Sequence, residues 1–165
     1  LSSNGSNSLS KAAPIFLIAD LHLQEERPET TRLFLDFLDG PARGARALYI
    51  LGDLFEAWIG DDAAGELGQR VARHLAALSD DGTRIYFIRG NRDFLLGEAY
   101  CRQAGMTELE EPQRIEHAGE PLLLLHGDVL CTDDVSYQKF RRKVRRPEWQ
   151  AAILSKPVWW RRLLA

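Results

Sequence analysis

Ala47-Leu48-Tyr49-Ile50-Leu51-Gly52-Asp53 decides the reading of this chain. An apolar run of strand length stops at a glycine and an aspartate. The same event occurs on both sides of it. Upstream, Ile15 to Ala19 is followed by Asp20-Leu21-His22, and downstream, Ile85 to Ile88 is followed by Gly90-Asn91-Arg92-Asp93. Helical patterns fill the gaps. Pro28 stands where a helix can start, and Leu33, Phe34, Phe37 and Leu38 repeat at helical spacing as far as Gly40. Leu67, Val71, His74, Leu75 and Leu78 mark a second helix stopped near Asp81-Gly82, and a short third one covers about Leu95 to Gln103 before Gly105. Arg114 to His117, a turn at Ala118-Gly119 and Leu122 to Leu125 then read as a β-hairpin, whose second strand ends in His126-Gly127-Asp128. Strands alternating with helices predict an α/β fold of βαβ units, in which ligands bind beyond the carboxyl ends of the strands.

Taken singly, the polar residues at those ends carry little weight. An aspartate after a strand is commonly a turn former or helix cap, and a lone histidine is commonly a hydrogen-bonded structural side chain. Jointly they carry more. Asp20, His22, Asp53, Asn91 and His126 each stand one to three residues past an apolar run, and Gly52, Gly90 and Gly127 flank three of the four places. Carboxylate, amide and imidazole together suit borderline divalent ions such as Mn²⁺, Fe²⁺ or Zn²⁺. The only two cysteines, Cys101 and Cys131, have no zinc-site spacing and make no disulfide framework, which favours a reducing compartment. A carboxylate can bridge two ions, and Asp53 is central enough in the order to do so. Two ions about 3.5–4 Å apart clamp a phosphoryl group, the chemistry of phosphoester hydrolysis.

The 165 residues are 45% hydrophobic and 27% charged, with a net charge of -3, which argues for one globular domain and against disorder. No apolar run approaches the roughly 20 residues of a membrane span. The charge is unevenly placed. Lys139 to Arg162 holds nine basic residues and one acidic, a net +8, while the remaining 12 basic and 23 acidic residues give -11. A basic segment bearing Trp149, Trp159 and Trp160 on an acidic body suggests an anionic partner.

The set Asp20-Leu21-His22, Gly52-Asp53, Gly90-Asn91-Arg92-Asp93 and His126-Gly127-Asp128 resembles the calcineurin-like metallophosphoesterase signature. The stretches Tyr49 to Asp62, Gly90 to Gly97 and His126 to Asp134 resemble, more narrowly, the UDP-2,3-diacylglucosamine hydrolase family of Gram-negative lipid A biosynthesis. The resemblance implies an α/β two-sheet sandwich flanked by helices, with a helical cap. It implies Asp20, His22, Asp53, Asn91 and His126 as metal ligands for two Mn²⁺ ions, with Asp53 as the bridge. Asp53, Asn91, Arg92 and His126 would be the catalytic set, and Asn91, Arg92 and Asp134 would contact substrate. Arginine cannot give up a proton near neutral pH, so Arg92 is expected to clamp the pyrophosphate with its forked guanidinium. The implied reaction cleaves the pyrophosphate of UDP-2,3-diacylglucosamine to UMP and 2,3-diacylglucosamine 1-phosphate through a hydroxide activated by two metals.

The division expected is a tag or linker remnant over 1–13, an incomplete phosphoesterase core over 14–132 and the start of a basic helical cap over 133–165. The G-H-x-H segment that closes the family pattern is absent, since no histidine follows His126. A C-terminal truncation is therefore expected, and Trp159 to Ala165 reads as an interrupted amphipathic helix. The expected partners are a nucleotide-linked lipid and the cytoplasmic face of the inner membrane, where helices with Lys/Arg on one side and Trp/Leu on the other lie. Nucleic acid is not expected as a partner. Another phosphoesterase (a nuclease or a phosphatase for soluble substrates) and a non-catalytic metal- or lipid-binding remnant stay open as alternatives. Asp53 is expected to face the surface, so that its removal costs little stability.

Overall fold

The structure is a computed structural model that describes residues 13–163. The linker reading of 1–13 therefore lies outside the described residues except at Ala13, as do Leu164 and Ala165 of the expected terminal helix.

Four parallel strands lie in chain order: β1 (Ile15–Ile18), β2 (Ala47–Ile50), β3 (Arg84–Phe87) and β4 (Met106–Glu108). The helices α1 (Pro28–Asp39), α2 (Gly65–Asp80) and α3 (Glu98–Gln103) connect them. A separate antiparallel pair, β5 (Gln113–His117) and β6 (Glu120–Leu124), forms a second sheet. After it come α4 (Val135–Val144), α5 (Pro147–Leu154) and α6 (Val158–Arg161).

Every residue of β2 is buried because both faces of the parallel sheet are covered. Alternate side chains point opposite ways along a strand. Leu48, Ile50, Ile85 and Phe87 join a core with Leu38 of α1, Val71 and Leu75 of α2, and Tyr100 of α3. Ala47, Tyr49 and Ile88 belong to a second core with Leu124, against which Ile115 and Leu122 of the hairpin pack. The order is thus helices, parallel sheet, hairpin. Truncating a fully buried side chain such as Leu75 to alanine would cost about 2–5 kcal/mol.

The register positions the site. Ile18 pairs with Ile50, and Ile50 with Phe87, so β1, β2 and β3 end side by side. The segments carrying Asp20, Asp53 and Asn91 leave the sheet at one edge.

Two elements differ from expectation. The third helix starts at Glu98, not Leu95, because Phe94 to Gly97 form a turn, with the Leu96 N–H bonded to the Asp93 carbonyl. The carboxylate of Asp61 then accepts the N–H groups of Gly97 and Tyr100 at 2.9 Å each, capping the helix there. The three-residue strand β4 is too short for its alternation to stand out in sequence.

Candidate metal centre

Asp20, His22 and Asp53 all have positive φ, at 55°, 48° and 52°. Asp and His are among the few side chains that tolerate this left-handed region. The tight turns bring β1's end onto β2's: the N–H groups of Asp20, His22 and Leu23 bond to the carbonyls of Gly52, Asp53 and Leu54. The glycines between are required by space. A Cβ on Gly52 would lie 2.6 Å from His126 Nδ1 and 2.7 Å from Gly90 Cα, and one on Gly90 would overlap the Asp53 carboxylate.

Asp53 stands at the centre, with its residue only 3% exposed. This corrects the expectation of a surface-facing carboxylate: the loop of residues 90–93 closes over it. Its Oδ1 accepts the Arg92 N–H at 2.8 Å and lies 3.8 Å from His126 Nε2. Its Oδ2 lies 3.7 Å from His22 Nε2, which is 3.9 Å from Asp20 Oδ1. Asp20, Asp53 and His126 each offer a ligand atom within 4.8 Å of the others. Each oxygen of Asp53 thus has a different imidazole near it.

His126 is held in one useful orientation. Its Nδ1 is 2.8 Å from the Leu51 carbonyl, which can only accept, so Nδ1 carries a proton and Nε2 is the nitrogen turned toward the site. Nε2 faces Asn91 Oδ1 at 2.9 Å and Asp53 Oδ1 at 3.8 Å. An imidazole nitrogen, an amide oxygen and a carboxylate oxygen thus converge on one place, as the ligands of a cation do. The donor set fits a divalent metal on this observation, independent of the motif.

Arg92 lies at the rim, its side chain 52% exposed and 3.7 Å from Glu56 Oε1. Asp134 is the N-cap of α4, its Oδ1 accepting the Tyr137 N–H at 2.8 Å.

Sequence reasoning passed over two supporting carboxylates. Glu56 Oε2 lies 2.9 Å from His22 Nδ1, on the side away from Asp53. Asp93, fully buried, accepts N–H bonds from Gly90, Leu54 and Asp53 at 2.8, 2.7 and 3.3 Å, tying the two loops together. Burial pushes its carboxyl up to about 6, and the Asp53 charge adds to the rise. The run Gly90-Asn91-Arg92-Asp93 contained the signal, since its last acid follows directly on two candidate site residues.

The profile of the calcineurin-like phosphoesterase family matches residues 13–164. A UDP-2,3-diacylglucosamine hydrolase of Pseudomonas entomophila is 61% identical over 133 residues, covering 81% of this chain and 55% of that protein. One of Stenotrophomonas maltophilia is 59% identical over 141 residues, covering 86% of this chain and 57% of that protein. The chain spans about half the length of the curated relatives it matches. Among solved structures, Pseudomonas putida nuclease MPE aligns with a TM-score of 0.48 at 24% identity, over 62% of this chain and 50% of that one.

Proposed function

The chain belongs to the calcineurin-like phosphoesterase family, and from that premise we propose that its protein hydrolyses the pyrophosphate bond of UDP-2,3-diacylglucosamine, releasing UMP and 2,3-diacylglucosamine 1-phosphate. The relatives bearing that activity in their names support the substrate. The observation that carries the reaction class is the buried Asp53 carboxylate with an imidazole nitrogen near each of its oxygens.

Asp20, His22, Asp53, Asn91 and His126 would hold the metal, for which we propose two Mn²⁺ ions, Asp53 being the ligand most central among the five. When bound, such ions polarise a phosphoryl oxygen and make water acidic enough to attack at neutral pH. The chain's own residues supply the rest. Asp53, buried and anchored by the Arg92 N–H, keeps its charge aimed inward. The Leu51 carbonyl keeps the His126 proton on Nδ1, and Glu56 lies against the outer nitrogen of His22. The exposed guanidinium of Arg92, 3.7 Å from Glu56 Oε1, would turn from that carboxylate to fork onto the anionic oxygens of the pyrophosphate, which gather charge as the bond to the leaving oxygen breaks. Asp134 would add a polar contact to substrate from the start of α4.

Among the described residues, no helix is long and apolar enough to cross a membrane. We propose that the protein is peripheral to the cytoplasmic face of the inner membrane, a place that a lipid-linked substrate and the exposed basic residues of 139–162 would favour. Residues 14–132 would form the core and 133–165 the beginning of the cap.

The test uses the full chain with Mn²⁺ and compares UDP-2,3-diacylglucosamine with a soluble aryl phosphodiester. Turnover of the lipid nucleotide should dominate, and Asp53→Asn should abolish it together with Mn²⁺ binding. Undiminished hydrolysis by a folded Asp53→Asn chain would overturn the metal mechanism. Preference for the soluble diester would overturn the substrate.

A further inference from the structure

We propose that Glu111 and Arg145 are positioning residues of the metal centre, bracing the loops that carry His126 and Asn91 through helix α4. The need for a brace follows from the topology. Asn91 leaves the end of β3 and His126 the end of β6, and these strands belong to different sheets. No ladder of hydrogen bonds therefore sets the 2.9 Å approach of Asn91 Oδ1 to His126 Nε2.

A closed polar circuit spans the gap. Glu111 Oε1 accepts the backbone N–H of His126 at 2.8 Å and of Gly127 at 3.4 Å. Its other oxygen takes Arg141 Nη2 at 2.6 Å. One turn on, at the C-cap of α4, Arg145 donates to the carbonyls of Arg89 at 3.2 Å and Gly90 at 3.1 Å, the two residues before Asn91. Asp128 joins the two arginines: Oδ1 is 2.9 Å from Arg141 Nε, and Oδ2 is 3.4 Å from Arg145 Nη2 while accepting the Tyr137 hydroxyl at 2.7 Å. Residues four apart share one helix face, so α4 and its C-cap present both guanidiniums to the body.

These are not surface pairs of negligible worth. The side chains of Glu111 and Asp128 are 8% and 7% exposed, and those of Arg141 and Arg145 are 16% and 21%. Two positive and two negative groups balance, and each carboxylate has a further uncharged donor, while Asp128 Oδ1 and Arg141 Nε meet as an ion pair without a hydrogen bond. Outer groups that orient ligands commonly alter metal affinity 10–100-fold when removed.

The inference rests on the metal-centre reading above, and its test separates the two. Mn²⁺ affinity of the full chain is measured by the electron paramagnetic resonance of the free ion, alongside the melting temperature of the metal-free protein. Glu111→Ala removes the acceptor for the His126 N–H, whereas Glu111→Gln keeps it and loses only the charge. The first should weaken Mn²⁺ binding about tenfold or more, and the second should restore it to within about threefold of the parent. Arg145→Met, which keeps the aliphatic stem, should also weaken binding about tenfold and provides the reading if Glu111→Ala does not fold. Parent-like affinity in a folded Glu111→Ala or Arg145→Met chain would overturn the brace and leave the metal centre standing. Equal losses in affinity and melting temperature for the Ala and Gln variants would show a fold staple, which also overturns it. A parent chain without Mn²⁺ binding that depends on Asp53 would overturn both readings.

Discussion

At the scale of the residue, the same side chains serve the backbone and the chemistry. Asp20, His22 and Asp53 occupy left-handed conformations that cost an ordinary L-residue about 1–2 kcal/mol. This separates two replacements of Asp53. Asparagine tolerates the positive φ and can still accept the Arg92 N–H, so Asp53→Asn should melt near the parent while losing metal. Asp53→Ala should melt lower as well, because alanine meets the strain and leaves that N–H unpaired; parallel melts in chelator check it, and equal values would count against the strain. Arg92→Lys keeps a charge at the exposed rim but loses the fork. It should lower kcat about tenfold or more with Mn²⁺ content unchanged. A parallel fall in metal content would mean that Arg92 supports the ligands instead. The residues of the candidate site were legible because ligand-type side chains, common singly at such places, recur after four apolar runs. Its depth was not, since burial of Asp53 depends on residues 90–93 folding back over it from about forty positions away.

At the scale of the element, the stretch Trp58-Ile59-Gly60-Asp61-Asp62 shows what a motif conceals. In sequence it served as a mark of family resemblance, yet in the fold it joins three pieces. Trp58 Nε1 donates to Asp61 Oδ1 at 3.0 Å, and Asp61 in turn caps α3. Asp62 pairs with Arg161 of α6, whose guanidinium also reaches the Ile59 carbonyl and occupies the space a Cβ on Gly60 would need. Arg161 is 2% exposed, so a residue read as part of a basic, lipid-facing run is instead plugged into the body. Hydrogen bonding from Arg161 holds the Asp62 carboxyl below its ordinary value of 3.8. A depressed carboxyl contributes stability above its unfolded value and loses it as pH falls through the folded one, because the unfolded chain then binds more protons. Docking of α6 should hold at neutral pH and weaken below about pH 4. Amide exchange over residues 158–161 reads this, and Asp62→Asn at pH 7 should resemble the parent in acid. Unchanged protection in that variant would remove the latch. Helix limits α1 and α2 were legible from periodicity and their stop signals, whereas the start of α3 was set by Asp61, a partner distant in sequence.

At the scale of the whole molecule, the charge imbalance resolves into two populations. Arg141, Arg145 and Arg161 turn inward to Glu111, Asp128 and Asp62. Lys139, Arg142, Lys143, Arg146, Lys156 and Arg162 remain exposed, in the same part of the chain as exposed Phe140, Trp159 and Leu163. Composition could announce a basic segment but could not sort it, because pairing depends on which face of α4 meets the body. The sorting makes the proposed membrane contact testable. Each basic group near an anionic surface is worth about 1 kcal/mol at ordinary salt. Neutralising Arg142, Lys143 and Arg146 together should therefore weaken binding to vesicles containing anionic lipid by roughly a hundredfold, with little effect on vesicles of neutral lipid. Raising the salt concentration should narrow the gap between parent and variant, since exposed charges are screened over about 10 Å at 0.1 M. The melting temperature should stay near the parent's, because none of the three is paired with the body in the way that Arg141 and Arg145 are. Vesicle sedimentation at two salt concentrations decides the matter. Equal binding of parent and variant to anionic vesicles would remove the membrane face from the proposal and leave the hydrolytic centre as it stands.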